Sequence, residues 1–174
     1  NLHDFDPNVH RVSIEEMAEI DRFMLVKLNE LIEKVRTNYE EYQFSPIYHA
    51  IHNFCTIDLS SFYLDIAKDT LYIEKADDVR RRSIQTVLYD SLQSLTKLLA
   101  PIMPHTMEEV WSYIDGVDEE SVQLTDMPEV TQIPNAQETK EKWEEIVAIR
   151  DEILKALEEA RNEKIIGKSL EAKV

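Results

Sequence analysis

Apolar residues recur at steps of three and four along most of this chain, and that spacing restricts the possible folds more than any other feature. From Met17 to Tyr42 these steps place one continuous apolar stripe along a helix. The same period returns over residues 47–66, 79–99 and 143–157. Repeats at a fixed longer period are not apparent, so a solenoid is disfavoured. The sequence therefore predicts an all-α protein built as an up-and-down helical bundle.

Two signals at the start of the first stripe predict where its helix begins. Ser13 and Glu16 have the spacing of a capping box, in which each side chain bonds the other residue's backbone. Val12 and Met17 occupy the two positions of a hydrophobic staple. We therefore expect a helix of about seven turns that starts at Ser13 and packs along one side.

Similar signals mark the next two helical regions. Ser45 can cap a helix whose first residue is Pro46, where the missing N–H costs nothing. The "DLSS" stretch at residues 58–61 suggests that this region is one kinked helix or two short ones. Asp77 or Asp78 can cap the following helix, which we expect to end before Pro101 and Pro104.

The last third of the chain contains a short helix, a connector and a long helix. Thr106 and Glu109 predict a capping box for the short helix, which would end near Gly116. Residues 117–134 contain no basic residue and no helical period, so they predict an extended acidic connector lying over the bundle. We expect three parts: a bundle over 1–116, the connector over 117–134, and a final amphipathic helix with the start of a C-terminal junction, packed on the bundle, over 135–174.

Composition excludes several classes of function. Gly116 and Gly167 are the only glycines, so the glycine-rich phosphate loops of nucleotide-binding proteins are absent. Cys55 is the only cysteine, which excludes an internal disulfide and favours a cytoplasmic setting. The chain has neither a signal-peptide pattern at its N-terminus nor an apolar run long enough to cross a membrane. Its formal net charge of −16 would repel a polyanion at long range, but screening lets local basic patches dominate at contact.

The densest group of potential ligands is His49, His52, Cys55 and Asp58. These residues stand three apart, so on a helix each is rotated about 60° from the last and only neighbouring pairs can share a ligand. A zinc site needs at least three protein groups, so the spacing disfavours a metal. Cys55 with His52 could form a nucleophile pair, but a thiol among Ile51, Phe54 and Leu59 is more typical of a core.

Aromatic and basic residues are the candidates for contact with RNA. An exposed ring could stack on an unpaired base, although most of these rings must lie in the core. The aromatic candidates are Tyr39, Tyr42, Phe44, Tyr48, Phe54, Phe62, Tyr63 and Tyr72. Guanidinium and ammonium groups suit phosphate. The basic candidates are Lys68, Lys75, Arg80, Arg81, Arg82, Arg161, Lys164 and Lys168. Because consecutive residues on a helix point about 100° apart, Arg80, Arg81 and Arg82 cannot all face one phosphate, and one or two should pair with local carboxylates.

Several stretches of this chain, in order and over nearly its whole length, carry a resemblance to a known family. They are "DRFMLVKLNELI", "NFCTIDLSSFYLDIAKDTLY", "RRSIQTVLY", "LLAPIMPHTMEEVW" and "ARNEKIIGKSLEAKV". Together they resemble the C-terminal anticodon-binding helical domain of class I aminoacyl-tRNA synthetases. Within that class, "FYLDIAKD" and "RRSIQTVLY" resemble the bacterial isoleucyl-tRNA synthetases.

The resemblance implies a parent enzyme that activates isoleucine with ATP and transfers it to tRNA. The HIGH and KMSKS motifs of its catalytic domain are absent here, the editing domain lies upstream, and the zinc-binding tail of many bacterial members would follow Val174. We therefore expect a non-catalytic piece without a cofactor of its own. Its partners would be the anticodon stem and loop of the tRNA for isoleucine, and the catalytic and C-terminal domains of the same chain. The alternative is a structural helical module that braces the synthetase or docks a protein partner.

Overall fold

The computed structural model describes residues 1–168 and 171–172, and over these residues the regular structure is helical, as predicted. The chain divides into two compact units, residues 1–134 and 135–174. The first unit is a helical bundle in which α1 packs on α2 and α4, and α4 packs on α3 and α5. Its helices are α1 (Glu19–Glu40), α2 (Phe44–Asn53), α3 (Asp65–Ile73), α4 (Val79–Leu99) and α5 (Pro104–Trp111), and the second unit contains α6 (Ala136–Asn162).

Helix α1 begins later than its capping box predicts. Ser13 Oγ does donate to Glu16 Oε2 at 2.9 Å, but the pair closes a separate turn, and the extended backbone of Ala18 interrupts the chain before Glu19. The predicted start at Ser13 is therefore wrong. The apolar stripe is confirmed at Met24, Leu28, Leu31 and Val35, which are buried. It does not reach Tyr42, whose left-handed backbone lies beyond the helix end.

The second helical region is continuous from Phe44 to Ile73. It begins before Ser45 and has no side-chain cap, so the predicted cap at Ser45 is wrong. A π-helical segment, Phe54–Leu64, joins α2 to α3, and the residues at both junctions keep right-handed helical torsions. Within it, Ser61 Oγ donates to the Thr56 carbonyl at 2.7 Å, five residues earlier, which matches the wider π turn. The alternative of two separate short helices is therefore wrong, and the "DLSS" stretch marks the widened turns.

Helix α4 begins where its cap predicts and lies at the centre of the bundle. The Asp78 side chain accepts hydrogen bonds from the backbone N–H groups of Arg80 and Arg81, at 2.8 and 3.3 Å. Every residue from Arg82 to Tyr89 is buried, including the polar residues Ser83, Gln85 and Thr86. The buried face of α4 is thus wider than the apolar stripe predicted over residues 79–99. Val79, the first residue of that stripe, is exposed.

Helix α5 has a different start from the one predicted. It begins at Pro104, with Met103 as the flanking residue, so the Thr106–Glu109 box lies inside the helix and the prediction is wrong. Proline already has the backbone torsion of a first helical residue, which explains the earlier start. After α5 the chain turns at Gly116, whose φ of 72° and close approach to Pro7 leave no room for a side chain.

The connector lies along α1. Asn29 receives a hydrogen bond from Thr131 N at 2.9 Å and donates to Thr131 O at 2.7 Å. Arg36 donates to Pro128 O at 3.2 Å. Nearer its start, Val122 is buried in a cluster that closes this end of the bundle. The buried members of the cluster are Phe5, Tyr89, Ala100, Met107, Trp111, Ile114 and Val122.

A polar cluster inside the first unit joins three of its helical segments. Asp21 of α1, 2% exposed, accepts a hydrogen bond from the hydroxyl of Tyr63 at 2.7 Å and a very short one from Ser83 of α4. Burial raises the pKa of Asp21, although both hydroxyl bonds oppose the rise. Burial also raises the pKa of Tyr63 well above its usual value, so Tyr63 remains a donor. The cluster fixes the π-helical segment against α1 and α4.

In the second unit, α6 runs from Ala136 to Asn162, inside the last of the three predicted parts. The apolar stripe predicted over residues 143–157 is only partly covered, because Ile146, Ile149 and Leu154 are exposed. Trp143 and the other apolar residues of that stripe are half-buried.

Candidate nucleic-acid interface

The three consecutive arginines begin α4 at its junction with α3, and the structure gives them different surroundings. We call residues 68–82 the α3–α4 corner. Arg81 forms a bidentate pair with Asp4, at 2.9 and 3.0 Å, and its Nε donates to the Leu71 carbonyl at 3.1 Å. Arg81 thus ties the end of α3 to the N-terminal segment.

Arg82 is the most buried of the three, with 8% of its surface exposed. Its Nη1 donates to the Asp4 carbonyl and to Gln85 Oε1, both at 2.8 Å. Hydrogen bonding from Arg81, with support from Gln85 and the Arg82 charge, lowers the pKa of Asp4 to about 2 despite some opposing desolvation. Arg82 therefore holds the N-terminal segment on α4 and does not present its guanidinium to an external phosphate.

Arg80 faces outward. It is exposed, and so is Lys75 in the loop before α4, where the Lys75 carbonyl accepts from Asp78 N at 3.1 Å. Lys68, also exposed, forms an ion pair with Asp65 at 2.9 Å, and this hydrogen bond raises the pKa of Lys68. The α3–α4 corner thus offers Arg80 and Lys75 to solvent, with Lys68 beside a carboxylate.

The second predicted basic cluster lies at the end of α6. Arg161 is in the last turn of the helix, Lys164 follows in a left-handed conformation with φ of 59°, and Lys168 comes after the turn. All three residues are exposed. The Arg161 carbonyl accepts a hydrogen bond from Lys164 N at 3.1 Å. This cluster belongs to the second unit, whereas the α3–α4 corner belongs to the first.

The aromatic candidates separate clearly into core and surface. Phe54, Phe62 and Tyr63 are buried, as expected of core residues. Tyr39 is half-buried and its hydroxyl donates to the Leu98 carbonyl at 2.7 Å. The exposed rings are Tyr42, Phe44, Tyr48 and Tyr72. Phe44 and Tyr48 are four residues apart on α2 and so share a helix face.

The Cys55 and His52 pair lacks the features of an activated nucleophile. Cys55 is half-buried, and burial raises the pKa of its thiol, which keeps it protonated near neutral pH. The His52 ring stacks on Tyr48, with centroids 5.7 Å apart and planes at 19°. Asp58, the last member of the spaced set, lies 3.6 Å from the ammonium of Lys27.

Comparison with known proteins decides the family. The sequence profile of the family described as "Anticodon-binding domain of tRNA ligase" matches residues 21–174. The chain belongs to this family. The predicted resemblance is thereby confirmed, and the matched region of this anticodon-binding domain includes both basic clusters and the exposed rings of α2.

Close relatives of this anticodon-binding domain are found in bacilli. The isoleucine–tRNA ligases of Bacillus cereus (strain B4264) and Bacillus anthracis (strain CDC 684 / NRRL 3495) are each 63% identical to the chain over 174 residues. That alignment covers 100% of this chain and 19% of each relative. The chain therefore spans about a fifth of the length of the ligases it matches. Among the described residues, no helix has the length and apolar character needed to cross a membrane.

The sequence predicted the exposed rings of this anticodon-binding domain only as members of a larger set of aromatic candidates, most of which were expected to lie in the core. The spacing of Phe44, Tyr48 and His52, four residues apart on α2, was the signal that could have separated them. Asp21 was missed altogether, because an acid at the start of an amphipathic helix is usually solvated and nothing local marks it as buried.

Proposed function

We propose that this domain binds the anticodon stem and loop of the tRNA for isoleucine, within an isoleucine–tRNA ligase of the cytoplasm. Aminoacylation with ATP would take place in a catalytic domain of the same protein. The observation that carries the proposal is the match to the anticodon-binding family over residues 21–174, together with 63% identity to isoleucine–tRNA ligases over the whole chain. The domain would contribute positioning and recognition of the tRNA.

Charge determines how such binding must work. A chain with a net charge of −16 repels RNA at distance, so binding depends on short-range contacts made by a few exposed cations. Lys75 and Arg80 meet this requirement in the first unit, since both are exposed. Arg161, Lys164 and Lys168 meet it in the second. These five residues are the proposed phosphate contacts, with Lys68 a weaker candidate beside Asp65.

Charge reversal at the α3–α4 corner tests this proposal. The double variant Lys75→Glu with Arg80→Glu should lower affinity for a transcript of the tRNA for isoleucine about tenfold or more, because attraction to phosphate is replaced by repulsion. The slope of log affinity against log salt should fall by about one for each phosphate that the variant no longer binds. Fluorescence anisotropy over a series of salt concentrations measures both quantities.

The matched control is Lys142→Glu with Lys155→Glu, which changes the net charge equally on exposed positions of α6. The control should lose much less affinity than the corner variant. Equal losses in both variants would mean that only overall charge matters. Unchanged binding in both would remove the corner from the interface and favour the structural module, for which the contacts of Arg81 and Arg82 to Asp4 already provide a scaffold.

A further inference from the structure

Three rings form a ladder on the exposed face of α2. Phe44, Tyr48 and His52 are spaced at four residues, so they follow one another along the helix at intervals of about 6 Å. Phe44 is 54% and Tyr48 62% exposed, and His52 is also exposed. Tyr48 and His52 are stacked, while Phe44 contacts Tyr39 edge-on with centroids 6.3 Å apart. We call these three residues the α2 ladder.

The ladder lies in a stretch of the chain without carboxylates. Residues 42–57 contain no aspartate or glutamate, although the whole chain has 35 such residues among 174. The next acid, Asp58, is beside Lys27. The nearest preceding acids are Glu40 and Glu41 at the end of α1, before the ladder starts.

A cation borders the same helix. Lys34 of α1 is exposed and lines a groove with Ala50 and Asn53 of α2. The carboxylates of the same groove, Glu30 and Asp58, both lie within ion-pair distance of Lys27. The ladder itself contains no lysine or arginine, so its rings offer planar surface and no permanent positive charge. A phosphate is therefore better placed near Lys34 than on the rings. The rings suit the faces of bases, which stack on aromatic side chains whatever their sequence.

We propose that the α2 ladder stacks the unpaired bases of an RNA loop. The inference rests on the proposed function, and it deepens it by assigning base contact to α2 and phosphate contact to the basic residues elsewhere. A paired stem cannot use the ladder, because its bases are stacked on one another and their faces are covered. The ladder therefore distinguishes a loop from a duplex.

Substitution of Tyr48 provides the test, with the 174-residue chain and two RNA probes of equal charge. One probe is a hairpin with an unpaired loop, and the other is a fully paired duplex with the same number of phosphates. Tyr48→Ala should lower affinity for the hairpin about tenfold. The salt slope should not change, since the same phosphates remain bound, and affinity for the duplex should stay as it was.

Two further variants serve as controls. Tyr48→Phe keeps the ring and should retain hairpin binding. Tyr113→Ala removes an exposed tyrosine outside α2 and should have no effect on either probe. Circular dichroism should show the same helix content in every variant, because both tyrosines are exposed.

The outcomes separate this inference from the proposed function. If Tyr48→Ala leaves hairpin affinity unchanged, or lowers hairpin and duplex affinity equally, the ladder does not bind bases. If at the same time charge reversal at the α3–α4 corner still weakens binding, the proposed function stands without the ladder. If the unaltered chain binds neither the hairpin nor the tRNA, the proposed function and the base-stacking role of the ladder both fail.

Discussion

Asp21→Ala is expected to lower the free energy of unfolding by about 3 kcal/mol. The substitution removes the shared acceptor of Tyr63 and Ser83 and leaves two buried hydroxyls without their partner. Each unsatisfied buried group costs about 1 to 3 kcal/mol. The destabilisation should fall on the packing between α1, the π-helical segment and α4. Urea unfolding followed by circular dichroism measures it.

Asp21→Asn separates the hydrogen bonds from the charge. The amide can still accept from one hydroxyl and donate to the other oxygen, so this variant should be far more stable than Asp21→Ala. Because burial raises the pKa of Asp21, the native state binds the proton more tightly than the unfolded state, where the value is near 3.8. Ionisation therefore costs native stability as the pH rises above about 3.8.

The asparagine variant does not ionise, so its stability relative to the natural chain should increase from pH 4 to pH 7. Unfolding curves of both proteins at several pH values give this difference directly. A difference that stays constant with pH, or equal stability of the alanine and asparagine variants, would contradict the role assigned to the buried carboxyl.

Arg82→Ala is expected to lower the free energy of unfolding by about 2 to 3 kcal/mol, because it leaves the buried Gln85 oxygen and the Asp4 carbonyl without a donor. Arg80→Ala, two residues earlier, should change stability by less than about 0.5 kcal/mol, since Arg80 is exposed. The effects on RNA affinity should have the opposite order, with Arg80→Ala weakening binding more than Arg82→Ala. Urea unfolding and anisotropy on the same two proteins measure both effects.

The Asp4 carboxyl makes part of this stability depend on pH. Its pKa is lowered to about 2, so its stabilising contribution is complete above the usual value of 3.8 and is lost as the pH falls towards 2. Asp4→Asn, which removes the charge and tolerates the left-handed backbone of Asp4 (φ 65°), should therefore differ from the natural chain at pH 6 and converge on it near pH 2. If Arg80→Ala destabilised the chain as much as Arg82→Ala, the different roles assigned to them, RNA contact for Arg80 and stability for Arg82, would be wrong.

Of the four helix starts predicted from side-chain caps, the one at Asp78 is correct, and those at Ser13, Ser45 and Thr106 are wrong. Asp78 caps α4 as expected, because a cap is satisfied within three residues. The Ser13–Glu16 pair shows the limit of such signals, since it forms but closes a turn that the chain then leaves at Ala18. The "DLSS" stretch indicated an irregularity in the second helical region but not its π-helical form, in which Tyr63 of the segment donates to Asp21 across the bundle.

The candidate interface was only partly predictable for a similar reason. Helical geometry indicated that Arg80, Arg81 and Arg82 must point apart, but which one faced solvent depended on Asp4, more than seventy residues away in the chain. The same holds for the rings of the α2 ladder, whose exposure depends on how α2 packs against α1. Periodicity identified the faces of these helices, and long-range contacts decided which faces were covered.

A footprint of the domain on the tRNA for isoleucine tests whether it binds the anticodon arm. Hydroxyl-radical cleavage of the end-labelled tRNA, with and without saturating amounts of the chain, reports which riboses are covered. The proposed function predicts protection of the anticodon loop and the adjoining stem, with the acceptor stem cleaved as in free tRNA. Protection confined to the acceptor stem, or a cleavage pattern unchanged by the chain, would contradict it.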